Sequence, residues 1–262
     1  MIEKLATGRP GRSVSVVSPE LADGGFINLS AAAKLEADIA AALADDEIGA
    51  IVIAGGTRDV FIRHADVAEI DKAAKAIEQG RIGPEAFVGT PFWKLGRTLD
   101  AAHKPVIAAI DGACMGGGLE IAAACTMRIA SPQAGPIGLP EIRIAIFPGA
   151  GGMHRLARAI GWQKARILAL TGRTMNGEEA HRLGIIDELA NDPQAAAIEL
   201  ARQLAARDQA AIAALLRATQ FETDQEQIDR SMEAFGAILA EPNVRQALQD
   251  FLSSGRGLHE AN

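Results

Sequence analysis

Residues 104–130, KPVIAAIDGACMGGGLEIAAACTMRIA, constrain the fold more than any other part of this chain. Three consecutive glycines, Gly116, Gly117 and Gly118, separate an apolar run that follows Pro105 from an apolar helix that opens with Leu119 and Glu120. The Val and Ile residues between 106 and 110 read as a buried strand. A strand, a bare-backbone turn and a helix in that order leave unpaired N–H groups at the helix start, where the helix dipole also favours negative charge. Glu120 therefore places an acid one turn from an anion site. That is an odd position for an acid that only packs, and it makes Glu120 a candidate for chemistry.

The rest of the chain continues the alternation. Residues 14–17 and 50–54 read as strands, and the helix between them repeats Leu35, Ile39 and Leu43 on one face, with Ser30 as its expected N-cap. A turn is expected at Gly55-Gly56 and an extended segment at 60–62. Arg63-His64-Ala65-Asp66 then leads into a helix through Ile70 and Ile77, offering a second set of turn amides. Thr90-Pro91 and Gly149-Ala150-Gly151-Gly152 mark further helix starts, and residues 127–130 a further strand. Gly138-Leu139-Pro140-Glu141 sets a second acid behind a proline. Asn176 with Glu179 reads as a capping box that Gly184 closes. Strands alternating with helices argue an α/β fold with functional residues in the loops after strands. From Asp192 onward the strand signals stop. The chain divides into a core, 1–191, and a helical region, 192–262, which either contacts other subunits or covers its own core.

Charge and composition exclude several classes. A net charge of −7 is a poor start for nucleic-acid binding. Cys114 and Cys125 both sit in the apolar central stretch, which suggests no disulfide framework and fits a cytoplasmic setting. No apolar run approaches a membrane span, and residues 1–20 lack a signal-type apolar core. The histidines do not pair with cysteines at metal-ligand spacing, the glycines do not fit GxGxxG, and there is no phosphate loop, nucleophile elbow or HExxH helix. No metal or dinucleotide site is expected. Two acids and two backbone anion sites remain.

In four blocks the chain resembles the enoyl-CoA hydratase/isomerase (crotonase) superfamily: AIVIAGGTRDVFIRHADVAEI, HKPVIAAIDGACMGGGLEIAAACTMRIA, GLPEIRIAIFPGAGGMHRLARAIG and LTGRTMNGEEAHRLGIIDEL. The resemblance implies a spiral of ββα turns and a helical C-terminal region that makes homotrimers or hexamers. It also implies two backbone N–H groups, assigned to Arg63 and Gly117, that hold a thioester oxygen as it becomes an enolate. His64, Ala65, Asp66 and Gly116 then fall at the substrate. Hydratases of the family carry two glutamates, matched here by Glu120 and Glu141, whereas isomerases keep one or place an acid elsewhere. The implied reaction is addition of water across the 2,3-double bond of an acyl-CoA, with Glu141 transferring the proton and Glu120 orienting the water. No separate cofactor is implied, since coenzyme A enters as part of the substrate.

Three departures from the family pattern keep alternatives open. Arg63-His64 stands where relatives carry a small residue and glycine. The loop PELADGGFIN is acidic where relatives are basic, and the ending FLSSGRGLHEAN has a single cation, Arg256. Double-bond isomerisation and CoA-independent hydrolysis of a diketone use the same enolate chemistry, and His64 would matter to the latter. A non-catalytic binding subunit is the reading from another class.

Overall fold

The computed structural model describes residues 2–6, 13–55, 59–219 and 225–261. The chain opens with β1 (Ile2–Ala6), β2 (Ser13–Val17), β3 (Phe26–Ile27), α1 (Leu29–Ala44) and β4 (Ile48–Ala54). There follow β5 (Val60–Ile62), β6 (His64–Ala65), α2 (Val67–Glu78), α3 (Pro91–Asp100), β7 (Val106–Ile110), β8 (Ala113–Met115) and α4 (Gly117–Ala124). Next come β9 (Met127–Ala130), β10 (Ile137–Gly138), α5 (Gly152–Ile160), α6 (Trp162–Thr171), β11 (Thr174–Met175), α7 (Gly177–Leu183) and β12 (Glu188–Leu189). Four helices finish the chain: α8 (Pro193–Ala205), α9 (Gln209–Thr219), α10 (Gln225–Ile238) and α11 (Pro242–Ser254).

Strands alternate between two sheets. One has the order β1-β2-β4-β7-β9-β12 and the other β11-β10-β8-β5, while β3 and β6 form a separate parallel pair. Each turn of the chain lays a strand in the first sheet (β4, β7, β9) and the next in the second (β5, β8, β10), parallel to its predecessor, before a helical segment follows. This is a spiral of ββα turns. The first sheet is covered on both faces, which is why β4 and β7 read as continuous apolar runs with every residue buried. Side chains alternate across it: Ile51, Ile53 and Ala108 join the core beneath α1 and α4, while Val52, Ile107 and Ile129 meet Ala197, Ala201 and Ala205 of α8. Alanines spaced four apart let α8 lie close. A methyl group built on Gly49 would stand 2.7 Å from Ala205.

Two local expectations move. The cap of α1 is Asn28, whose Oδ1 accepts the Ala31 N–H at 2.8 Å, and Ser30 already lies inside the helix. Asn176 does cap α7 by accepting the Glu179 N–H at 2.9 Å, but the Glu179 carboxylate pairs with Arg173. Gly56 of the expected turn lies outside the described residues. Beyond α8, the helical region packs back on the core: α10 lies on a short helical turn, Pro84–Phe87, and α11 on α2. The Trp93 Nε1–H donates to Asp229 at 2.6 Å, tying α3 to α10. No helix among the described residues is long and apolar enough to cross a membrane. Trp162, Ile167 and Leu170 on α6 and Leu215 on α9 are exposed.

Candidate active site

The C-terminal ends of β5, β8 and β10 run into the loops that carry the candidate residues, where parallel sheets commonly place their chemistry. A cavity of about 240 Å³ opens there. Its walls include His64, Ala65, Asp66, Gly116, Gly117, Glu120 and Glu141, so the structure brings together every sequence-derived candidate except Arg63. Ile70, Phe87, Ile146, Phe147 and Phe235 make most of the remaining surface apolar. Among the described residues, no group of three or more His, Cys, Asp or Glu could hold a metal.

The three glycines do separate work. Gly116 has φ +50°, a region costly for a side chain, and a methyl there would stand 2.9 Å from Glu141 Oε1. Gly117 is the first residue of α4, so its N–H has no partner within the helix. Gly118 lets α4 touch β5, since a methyl on it would lie 2.1 Å from the Ile62 oxygen.

Arg63 is a correction. Its N–H donates to the Gly25 oxygen at 2.9 Å and its guanidinium Nε to the Gly24 oxygen at 2.7 Å, so its amide is spent on the neighbouring loop. The amide beside Gly117 is that of Ala65. Ile27 pairs with Ala65 in the parallel β3–β6 ladder, where the bonds of Ile27 run to the residues flanking Ala65, as the Asp66 N–H to the Ile27 oxygen at 2.9 Å does, so the Ala65 N–H is not spent on β3. A methyl built on Gly117 would lie 3.5 Å from the Ala65 nitrogen. A ligand oxygen lodged between these two residues could accept both N–H groups.

Asp66 lines the cavity, but its Oδ1 accepts the Ala68 N–H at 2.9 Å and caps α2. His64 is buried, which settles the direction of its ring away from solvent.

The two glutamates are buried in unlike surroundings. Glu120 Oε1 accepts the backbone N–H of Ala150 at 2.9 Å and of Gly152 at 2.8 Å. Burial raises its pKa, opposed by the Gly152 N–H, the Arg155 charge and the Ala150 N–H. Glu141 follows Pro140 at the start of a 3₁₀ turn, and its Oε2 is buried without a hydrogen-bond partner in the protein. Burial, and then the nearby Glu120 charge, push its carboxyl well above the ordinary carboxylate range. Of the two, Glu141 is driven further toward its neutral form, because the Glu120 charge adds to its burial, whereas two amides and the Arg155 charge oppose burial at Glu120.

Sequence reasoning missed the residue that holds in place the loop gripping Glu120. The buried Arg155 donates to the Ala150 oxygen at 2.7 Å and pairs with Asp100 at 2.8 Å, fixing the loop whose amides reach Glu120. The glycine-rich start of α5 was the available signal.

Comparison with known proteins agrees with this geometry. Residues 27–258 match the sequence model of the enoyl-CoA hydratase/isomerase family. A crotonyl-CoA hydratase of Syntrophomonas wolfei is 32% identical over 216 residues, covering 79% of each chain. The fatty acid oxidation complex subunit alpha of Shewanella loihica is 34% identical over 166 residues, which are 62% of this chain and 22% of that protein. The chain thus spans about a fifth of the length of such curated relatives. Among solved structures, an enoyl-CoA hydratase/isomerase from Mycobacterium paratuberculosis superposes with a TM-score of 0.80 at 18% identity, covering 95% of this chain and 97% of that one. The ββα spiral, the glycine-to-glutamate turn and these matches agree, and the chain belongs to the enoyl-CoA hydratase/isomerase family, with its crotonase fold.

Proposed function

We propose that the protein is an enoyl-CoA hydratase, a lyase that adds water across the 2,3-double bond of an acyl thioester. One observation carries the reading: Glu120 and Glu141 are buried at one cavity in unlike surroundings, one carboxylate held by two amides and the other with a buried oxygen that has no partner in the protein. The thioester oxygen lies between the N–H groups of Ala65 and Gly117, which stabilise the negative charge that grows as the enolate forms. Loss of one such donor costs on the order of a hundredfold to a thousandfold in rate. The Glu120 carboxylate orients a water and takes its proton as the oxygen bonds C3. Glu141 delivers a proton to C2 and completes the addition, after which the proton gained by Glu120 passes to Glu141 and restores the starting state.

Coenzyme A enters as part of the substrate, and the name of the Syntrophomonas wolfei relative supports a short enoyl chain. We further propose a homotrimer or a hexamer built from it, supported by the exposed apolar side chains of α6 and α9. Purified protein should consume crotonyl-CoA with loss of the enoyl-thioester absorbance. A protein that turns over no member of an enoyl-thioester series, yet cleaves a CoA-free diketone, would overturn the hydratase reading.

A further inference from the structure

His64 occupies the strand residue immediately before the Ala65 amide, and its side chain is not what an apolar wall requires. The ring is buried. It packs against Phe26 with centroids 4.6 Å apart and meets the edge of Phe251 at 6.3 Å. Its Nδ1 lies 2.8 Å from the Ala65 oxygen. A carbonyl only accepts, so Nδ1 carries the proton, and Nε2 is left as a lone pair. That second nitrogen is buried with no hydrogen-bond partner in the protein. Burying such an atom unsatisfied is destabilising. A phenylalanine would fill the same space between two phenyl rings without that cost. What histidine adds is the Nδ1–H on the carbonyl of the next residue.

The consequence falls on Ala65. Its carbonyl is held by the His64 ring, and the next N–H, that of Asp66, is held by the Ile27 oxygen. The peptide that follows Ala65 is therefore pinned from both ends. The peptide that precedes it, which carries the Ala65 N–H, hangs between that pinned unit and a ring clamped by Phe26 and Phe251. Rotation about the Ala65 backbone, which would swing the N–H off its line, breaks at least one of these contacts. Phe251 belongs to α11, so the clamp also links the helical region to the amide.

We propose that His64 is a positioning residue: through its Nδ1–H on the Ala65 carbonyl it holds the Ala65 N–H beside Gly117, where the ligand oxygen sits. The role of that oxygen rests on the hydratase reading above. A donor misplaced by about 1 Å can cost up to a hundredfold in rate.

Three proteins test this: the parent, His64→Phe and His64→Asn. Phenylalanine keeps the aromatic packing and loses the Nδ1–H, whereas asparagine places an amide N–H near the same point. For hydration of crotonyl-CoA, His64→Phe should lower kcat about tenfold to a hundredfold, with KM changed by less than about threefold. His64→Asn should recover most of the loss. Backbone amide exchange over the peptide containing residues 61–68 should be faster in His64→Phe than in the parent, and slowed again in His64→Asn. A His64→Phe enzyme with parental kcat and parental exchange would overturn the inference. An inactive parent would sink the hydratase reading, and the exchange comparison would then decide the positioning role alone.

Discussion

The Gly152 N–H donates to Glu120 Oε1 at 2.8 Å, and a methyl group built on Gly152 would lie only 2.3 Å from Glu120 Cγ. The two residues, one opening α5 and the other in the first turn of α4, approach as closely as a backbone and a side chain can. The contact does two things at once. It offsets part of the cost of burying the Glu120 carboxylate, and it fixes that carboxylate on the cavity wall. Arg155 supports the same arrangement from behind, through Ala150 and Asp100.

Replacing Gly152 by alanine should therefore act on chemistry. The added methyl forces Glu120 off its amides, so kcat for crotonyl-CoA should fall by on the order of tenfold or more while KM stays near parental. Steady-state kinetics beside a thermal melt separate this from misfolding. An unchanged kcat would mean that the grip on Glu120 has no part in turnover.

Glu141→Gln removes the proposed proton donor. Hydration should drop by roughly a hundredfold to ten-thousandfold, the usual range for a general acid. Stability gives an independent reading. The folded Glu141 pKa lies above the ordinary value of 4.5, so the unfolded carboxyl ionises first as pH rises. The parent accordingly loses stability from about pH 4.5 upward until the folded carboxyl also ionises. The variant cannot ionise at this position, so its stability should fall less between pH 4.5 and 8 in denaturant titrations. Parallel curves would show that the buried carboxyl is not held in its neutral form.

The elements with strong local patterns were legible in the sequence. The all-apolar β4 and β7, the proline-led start of α3 and the Gly184 stop lie where composition and spacing put them, whereas α4 opens at Gly117, two residues before the expected Leu119. What failed depended on neighbours distant in sequence. Nothing local to Arg63 reveals that its amide is taken by Gly25, 38 residues earlier, because β3 has only two residues and no periodicity to announce it. Ser30 and Asn28 are both good caps, and only packing of α1 chooses between them. Glu120 was found from its glycines, but its partners Ala150 and Gly152 lie 30 and 32 residues away. A carboxylate site is legible as residue types before it is legible as a hydrogen-bond set.

Asp66 separates a capping role from a substrate role. Its Oδ1 accepts the Ala68 N–H, so Asp66→Ala should cost about 1 kcal/mol, or roughly 2–4 °C in Tm. Asp66→Asn, which can cap as well, should be near neutral. KM should stay within about twofold of the parent in both. A matched rise of KM in the two variants, with little change in Tm, would instead place the carboxylate on the substrate.

Among the described residues, no lysine or arginine lines the cavity, while Asp66, Glu69, Glu120 and Glu141 all do. A polyphosphate tail lying near cations would bind more weakly as salt screens the attraction, with a Debye length falling from about 10 Å at 0.1 M to about 3 Å at 1 M. Without cations at the cavity, the thioester end must supply most of the affinity through the two amides and the apolar wall. KM for crotonyl-CoA should thus change by less than about twofold between 50 and 500 mM salt, since screening has no close ion pair to weaken. A crotonyl thioester truncated to N-acetylcysteamine should also retain kcat/KM within about tenfold, a loss of roughly 1.4 kcal/mol in transition-state binding. A steep rise of KM with salt for the full thioester, absent for the truncated one, would locate a cationic contact for the nucleotide outside the cavity and refute the idea that this site reads only the acyl end.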